Sequence, residues 1–308
     1  MKLFYSDHIE LQAKKGSTFP TQKYRLLREH LQQNYANRFE FIAATPASNA
    51  ALCLAHEAEY ILAIESGDLS SEAIRRIGFP WSSQLVARSK CSVAATINAC
   101  EAALKDGAAA NLAGGTHHAF RHFGAGYCVF NDVATASLRM RELHPNLRIL
   151  IVDVDVHQGD GTAAILANEP NIYTFSIHCM DNFPARKQCS DLDVPLMAGT
   201  GDKEYLRQFK DALRRAWLAA RPDFVIYLAG ADPFEGDRLG RLALSMGAMK
   251  QRDEALLSEC RRRFIPVALA MGGGYAERIE DIISIHAQTI VSAADLCSSG
   301  AKEPQQSG

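Results

Sequence analysis

Four short clusters hold the residue types that metal and proton chemistry require: Gly114-Gly115-Thr116-His117-His118, Asp153-Val154-Asp155-Val156-His157, Gly230-Ala231-Asp232 and Gly272-Gly273-Gly274-Tyr275. In the second, Asp153, Asp155 and His157 alternate with valines, so an extended backbone turns the three polar side chains to one face, neighbours about 6–7 Å apart. Two of them can then share one metal ion. Two carboxylates and an imidazole are costly to bury as a merely polar strand, and a cation that neutralises them removes most of that cost. Asp232, arriving from a separate segment, completes a set of one histidine and two carboxylates with a position open for water, which is the pattern of a catalytic rather than a structural metal site. Taken alone, Gly230-Ala231-Asp232 says little, because an Asp after a strand commonly caps a helix. Its weight comes from the other clusters.

The adjacent His117 and His118 suit general acid and base work, since imidazole titrates near neutral pH and is oriented by a partner carboxylate. Asp153 and Asp160 are the available partners. Three glycines before Tyr275 let the backbone approach a pocket closely, and a phenol there can donate to an oxyanion, although an ordinary loop tyrosine fits that position equally well. A phosphate-binding loop does not fit, because the glycines are not followed by Lys-Ser/Thr and lack G-x-G-x-x-G spacing.

All four clusters follow short apolar segments, at Ala108–Ala113, Arg148–Val156, Phe224–Ala231 and Ile265–Met271, with a further segment at Ile172–Ile177. Helical spacing lies between them, at Asp132–Leu143 and Lys203–Ala220, and fills most of the N-terminal third, at Lys23–Leu31, His56–Ile64 and Gln84–Leu104. This alternation predicts one α/β domain, an open parallel sheet with helices on both faces. Ligands bind at the carboxyl edge of such a sheet, where one site can gather all four clusters. The catalytic unit is expected over 1–297, with 298–308 a loose, disordered tail.

Composition agrees with a globular chain: 308 residues, 47% hydrophobic, 22% charged, formal net charge -2. No basic run is long enough to follow a phosphate backbone, and Arg261-Arg262-Arg263 reads as a solvated helix end, so a nucleic-acid partner is not expected. The N-terminus reaches charge too early for a signal peptide, and no apolar run approaches a membrane span. Cys53, Cys91, Cys100, Cys128, Cys179, Cys189, Cys260 and Cys297 form no C-x-x-C pair, which fits reduced thiols in a cytoplasmic protein.

The chain resembles the zinc-dependent histone deacetylases and related acyl-lysine or acylpolyamine amidohydrolases of the arginase-deacetylase fold. The resemblance rests on Gly115–His118, Gly126-Tyr127-Cys128-Val129-Phe130-Asn131-Asp132, Asp153–Thr162, Thr174-Phe175-Ser176-Ile177-His178 and Gly273-Gly274-Tyr275, in the family's order, from about Tyr5 to Ser284. Within the family it looks most like the class IV branch, through Glu235–Leu242 after Asp232, through Ile77-Gly78-Phe79-Pro80-Trp81, and through Gln158 where many relatives carry a second histidine. It implies one zinc ion on Asp155, His157 and Asp232. His118 would activate the water and protonate the leaving lysine amine, His117 would support it electrostatically, and Asp153 and Asp160 would orient the pair. Tyr275 would polarise the acyl carbonyl, the Gly126 carbonyl would accept the substrate amide proton, and Tyr127 would line the tunnel, with Gly273 and Gly274 also at the substrate. A structural potassium ion on Asp153, Asp155, His157, Ser176 and Ile177 is implied too. Many relatives grip the substrate backbone with an Asp at the tunnel rim, where this chain places Phe79-Pro80-Trp81.

Rival functions separate by residue. Dimanganese ureohydrolases of the same fold use D-x-H-x-D, and Gly159 stands at the fifth position here, which leaves a second metal without its ligand. An acetylpolyamine or other small acyl-amide amidohydrolase keeps the same chemistry on a smaller substrate. A non-catalytic acyl-binding regulator would be expected to have lost a ligand or proton-transfer side chain, and none is missing. The class IV likeness implies acylated lysine in protein or peptide, with long fatty acyl chains among the substrates.

Overall fold

Among the described residues eight strands form one sheet, five of them on the expected apolar segments, and every strand pairing is parallel. The structure, a computed structural model, describes residues 1–13 and 16–298, with side chains to 295. The tail expected at 298–308 lies outside the described residues beyond 298. In chain order the strands are β1 (Lys2–Tyr5), β2 (Glu40–Ala43), β3 (Ala108–Asn111), β4 (Ile149–Asp153), β5 (Ile172–Cys179), β6 (Leu192–Leu196), β7 (Phe224–Ala229) and β8 (Val267–Met271). They lie side by side as β2-β1-β3-β8-β7-β4-β5-β6. The strands that lead into the four polar clusters, β3, β8, β7 and β4, are therefore four consecutive central neighbours, and their carboxyl ends open on one place.

Side-chain alternation divides the interior into two cores. Leu150 and Val152 of β4, with Val225 and Tyr227 of β7, face one core; Ile149, Ile151, Phe224 and Ile226 face the other. Against the first pack α1 (Lys23–Tyr35), α8 (Asp202–Ala220), α9 (Met246–Arg263) and α10 (Ile279–Ser298), through Leu27, Phe209, Leu256 and Ile290. Against the second pack α5 (Ser83–Asp106), α6 (Asp132–Leu143) and α7 (Asp160–Leu166), through Ile97, Val133 and Ile165, with α2 (Asn49–Leu52), α3 (Ala58–Ser66) and α4 (Ser71–Ile77) beyond them. Central strands buried on both faces read as continuous apolar runs, which is why their segments stand out in the sequence. Helix starts are set by side-chain caps: Ser82, Asn131 and Ser245 each accept an amide N–H three residues on.

The predicted α6 matches residue for residue. The N-terminal third is not wholly helical, because β1 and β2 pair with each other at the sheet edge. Arg261-Arg262-Arg263 ends α9, and Arg262 and Arg263 pair with Glu259. The seven cysteines whose side chains are described are all free, and no described helix is long and apolar enough to cross a membrane.

Candidate active site

Asp153 is the last residue of β4, four residues short of the expected acid-rich strand through His157, for a local reason. The N–H groups of Asp155 and His157 donate to the carboxylates of Asp153 and Asp155, each at 3.0 Å, and not to a neighbouring strand. A short acid that accepts an amide two residues ahead competes with the strand ladder in this way. The alternation persists beyond the ladder. Val154 and Val156 enter the first core, while Asp153 and Asp155 reach His117 from the other side, at 2.7 and 3.9 Å.

Three strand ends are tied together by the carboxylates. Asp232, beyond β7, accepts the Val156 N–H at 2.9 Å through Oδ1, and Asp155 accepts the Gly273 N–H, beyond β8, at 2.7 Å through Oδ2. His157 Nδ1 stands 2.9 Å from Asp155 Oδ1 and 3.2 Å from Asp232 Oδ2. Asp155, His157 and Asp232 each offer a donor atom, all within 4.8 Å of one another, and no other such cluster occurs among the described residues. Any Cβ on Gly273 would run into the Asp232 carboxylate, so only glycine lets this loop pass so close.

The charges at this point do not balance. Burial opposes a proton on His157, yet Asp155 and Asp232 outweigh it and raise its pKa to about 10. Burial lifts Asp232 to about 7, and the charge on Asp155 adds to the rise while His157 opposes it. Asp232 Oδ2 is buried and makes no well-formed hydrogen bond, its approach to His157 Nδ1 at 3.2 Å being an ion pair of poor geometry, and an incompletely satisfied buried oxygen costs about 1–3 kcal/mol. Two carboxylates and one imidazole are the donor set of an open zinc site, and a divalent ion there would satisfy that oxygen. The residues fit the metal.

Above the acids, Asp153 holds His117 Nδ1 at 2.7 Å and Asp160, at the start of α7, holds His118 Nδ1 at 2.6 Å. The imidazole rings lie 4.1 Å apart, centroid to centroid. Their environments drive them apart: burial opposes charge on His117, but Asp153 and Asp155 overcome it and raise the pKa to about 9. For His118, burial first and the His117 charge second lower it to about 4, against Asp160. One ring keeps its charge at neutral pH and its neighbour stays neutral. The dyad's backbone is clamped as well, since the His117 carbonyl accepts from the Thr162 N–H and from Asn131 Nδ2.

Tyr275 is buried, and its pKa is held well above the ordinary phenol value by burial first and then by the nearby charge of Asp232 and Asp155. It stays a hydroxyl donor. With His118, His157, Gly126 and Tyr127 it lines a cavity of about 450 Å³. Gly126 and Tyr127 both have positive φ, 54° and 66°, an uncommon conformation for an aromatic residue. It is fixed by their N–H groups, which donate to the carbonyls of Arg76 and Ile77 at the end of α4. None of the expected rim segment Phe79-Pro80-Trp81 lines the cavity; the two residues before it, Ile77 and Gly78, do. Phe79 is buried edge-on against Phe19 and tilted against Tyr127, while the Trp81 indole donates to the Ile64 carbonyl. For the expected potassium site, Ser176 is the ladder partner of Asp153, its hydroxyl meets His178 Nδ1 at 3.0 Å, and the Ile177 side chain belongs to the first core.

Several contributors carry no local sequence signal. Asp237 accepts the N–H of Tyr275 at 2.6 Å and those of Leu239 and Gly240 at 2.8 Å, fixing the phenol's loop. Lys23 is buried beneath that loop, donates to the Gly272 and Gly274 carbonyls at 3.3 and 3.4 Å, and lies 5.2 Å over the Tyr275 ring. Burial lowers its pKa to about 8, against Asp232, Asp155 and Asp237. Arg252, fully buried on α9, donates to the Gly230 carbonyl at 2.9 Å and reaches the Val154 carbonyl at 3.5 Å, while Asp253 receives its Nε at 2.8 Å. Phe183, exposed at the cavity, packs edge-on to His118 at 4.8 Å. Of these, only Asp237 falls inside a motif that the sequence singled out.

The family model described as histone deacetylase domain matches residues 17–290. An uncharacterized protein of Picosynechococcus sp. is 42% identical over 279 residues, covering 90% of this chain and 93% of that one. Histone deacetylase 2 of Arabidopsis thaliana is 34% identical over 199 residues, covering 62% of this chain and 50% of that protein, so the match spans about half the length of that named relative. Among solved structures, the HDA15 HD domain superposes with a TM-score of 0.80 at 18% identity over 98% of this chain and 92% of that one, which shows that the fold is the arginase-deacetylase fold. With the family model spanning most of its length and the fold shared, this chain belongs to the histone deacetylase family.

Proposed function

We propose that the protein hydrolyses the amide of Nε-acyl-lysine, with one zinc ion held by Asp155, His157 and Asp232. The observation that carries the reading is the buried cluster of Asp155, His157 and Asp232, in which Asp232 Oδ2 makes no well-formed hydrogen bond and meets only the His157 imidazole at 3.2 Å, in one cavity region with a pair of carboxylate-held histidines. When bound, the ion supplies Lewis acidity to the acyl carbonyl and to the attacking water. His118, neutral and held at Nδ1 by Asp160, takes the proton of that water at Nε2 and later delivers it to the lysine nitrogen as the C–N bond breaks. The products are a carboxylate and a free lysine amine. His117 keeps its positive charge against Asp153 and offsets negative charge that develops in the transition state. The Tyr275 phenol donates to the carbonyl oxygen, the Gly126 carbonyl receives the substrate amide N–H, and Tyr127 forms a wall.

The finer reading is a class IV-like enzyme that takes long fatty acyl groups. A second, small cavity of about 50 Å³ shares Tyr127 with the first, its lining mixing Leu11, Phe19, Phe79 and Phe130 with the polar Arg88, Ser92 and Thr116, and supports no more than a short extension beyond acetyl as it stands. It is the size of one or two water molecules at ~30 Å³ each, so a fatty chain must displace its aromatic lining. A panel of fluorogenic acyl-lysines from acetyl to myristoyl, with and without a chelator, tests the reading. Turnover that chelation abolishes is the expected result, and turnover that survives chelation sinks the metal mechanism.

A further inference from the structure

The cavity mouth carries unpaired positive charge. Arg75 and Arg76, in the last turn of α4, and Arg241, on a separate loop, all line the cavity that holds His118, His157 and Tyr275. All three are exposed, and Asp181 is the single acid beside them. This contrasts with the rest of the surface. Arg25, Arg207, Arg214, Arg262 and Arg263 each pair with a carboxylate three or four residues away on their own helix. Glu72 is spaced to pair with Arg75 and Arg76 in the same manner. Neither pair forms: Arg76 turns to the Gly124 carbonyl at 3.2 Å and lies 4.3 Å over the Phe123 ring. Among the described residues, no carboxylate lies within ion-pair distance of the three mouth arginines.

The backbone segments that carry the arginines are also held in place. The carbonyls of Arg76 and Ile77 receive the Gly126 and Tyr127 N–H groups, so the end of α4 is bolted to the cavity wall. The Arg241 N–H donates to Asn182 Oδ1, and its carbonyl accepts the Gly199 N–H. Three positive charges against one negative thus rise from two anchored segments at the entrance, in a chain whose formal charge is -2. Such a mouth attracts anions, repels cations, and offers guanidiniums matched to carboxylate geometry.

We infer that this rim selects acyl-lysine substrates that carry a carboxylate within a residue or two of the acylated lysine, supplied by an acidic side chain or by the lysine's own α-carboxylate. The inference rests on the deacylase reading above and disfavours polycationic acylpolyamines as substrates.

The test compares kcat/KM of the parent on one acyl-lysine set in otherwise identical peptides flanked by Asp, Ala or Lys, together with peptides that end at the acyl-lysine as free acid or as amide. Each arm is run with acetyl and with myristoyl, at low and at high salt. Asp-flanked or free-acid peptides are expected to exceed their neutral counterparts by about two- to fivefold, the span of one exposed charge pair, with Lys-flanked peptides lowest. The preference should vanish near 1 M salt, where screening falls to about 3 Å. The two anionic arms distinguish which source of carboxylate the rim reads. In Arg75→Glu/Arg241→Glu the order should invert, and because the readout is a ratio on one protein sample, partial misfolding does not imitate it. Equal kcat/KM across the series in the parent overturns the inference and leaves the deacylase reading standing. Absence of turnover in every arm overturns the deacylase reading itself, and the inference with it.

Discussion

Asp160 Oδ1 stands 2.6 Å from His118 Nδ1, which leaves Nε2 as the nitrogen of that imidazole free to exchange a proton in the cavity. Asp160→Asn keeps an acceptor at that place and removes its charge. The variant should lose about 10²-fold or more in kcat, within the range for a compromised general base. Asp160 raises the His118 pKa against burial and the His117 charge, which together hold it near 4, so its loss lowers that pKa further. The acid limb of kcat/KM should therefore move to lower pH. A parental kcat, or a limb displaced to higher pH, would show that His118 is not the base.

Gly159 marks more than a missing second metal ligand. A Cβ there would meet the Asp153 carboxylate and come within 3.2 Å of His117 Nδ1, so any side chain pushes on the pair that orients the dyad. Overpacking of a closely fitted site typically costs about 1–3 kcal/mol. Gly159→Ala should lower kcat about 10- to 100-fold, and Gly159→Asp should bind no second metal and be no more active. A Gly159→Asp protein that binds two metal equivalents and turns over as the parent does would contradict this.

Arg252 joins the backbone next to both carboxylate donors, since it reaches the carbonyls of Gly230 and Val154. Its partner Asp253 also accepts Tyr227 and Thr289 hydroxyls at 2.5 Å. Arg252→Met alone leaves a buried carboxylate uncompensated and should destabilise by about 3–5 kcal/mol, whereas Arg252→Met/Asp253→Leu removes both charges and should recover much of that loss. If the guanidinium positions the metal-binding ends of β4 and β7, the double variant should still hold zinc at least tenfold more weakly in competition with a chelator. Parental zinc affinity in a well-folded double variant would reduce the pair to a core feature.

Acid should unfold the protein early. His56 is buried, its Nδ1 meets the Phe120 carbonyl at 2.9 Å and its Nε2 accepts the Asn131 N–H at 2.9 Å, an arrangement that requires the neutral ring. Burial lowers its pKa to about 4, and likewise lowers His178 to about 4 and His286 to about 3. With folded values below the unfolded one of about 6.5, these three groups bind more protons in the unfolded chain between the two limits, so their contribution to stability is full above pH 6.5 and is lost as pH falls toward 4. Thermal melts with chelator present should show a clear drop from pH 7.5 to pH 5. A flat melting temperature across that interval would contradict the assignment.

The legible part of this protein was the part written in local pattern. Buried parallel strands gave apolar runs, and the polar clusters after β3, β4, β7 and β8 announced a shared edge before their adjacency was known. β1, β2 and β6 escaped notice because each is a strand of four or five residues at or near a sheet edge, too short for alternation to register. The end of β4 was misjudged because valine alternation continues past Asp153 while carboxylates capture the amides that a strand would need. Lys23 and Arg252 could not be read at all. Their contacts are with backbone carbonyls 249 and 22 residues away, and nothing in the neighbouring sequence distinguishes them from solvated cations.

The central claim is the single ion on Asp155, His157 and Asp232, and the most direct measurement is the zinc bound per chain in the purified parent and in Asp232→Asn, with folding of both checked by thermal melting. The parent should carry about one equivalent, removable by chelator with loss of activity, and the variant well under a tenth of that, as expected when one of three protein ligands is lost. A folded parent that binds no zinc, or a variant that binds as much as the parent, would contradict it.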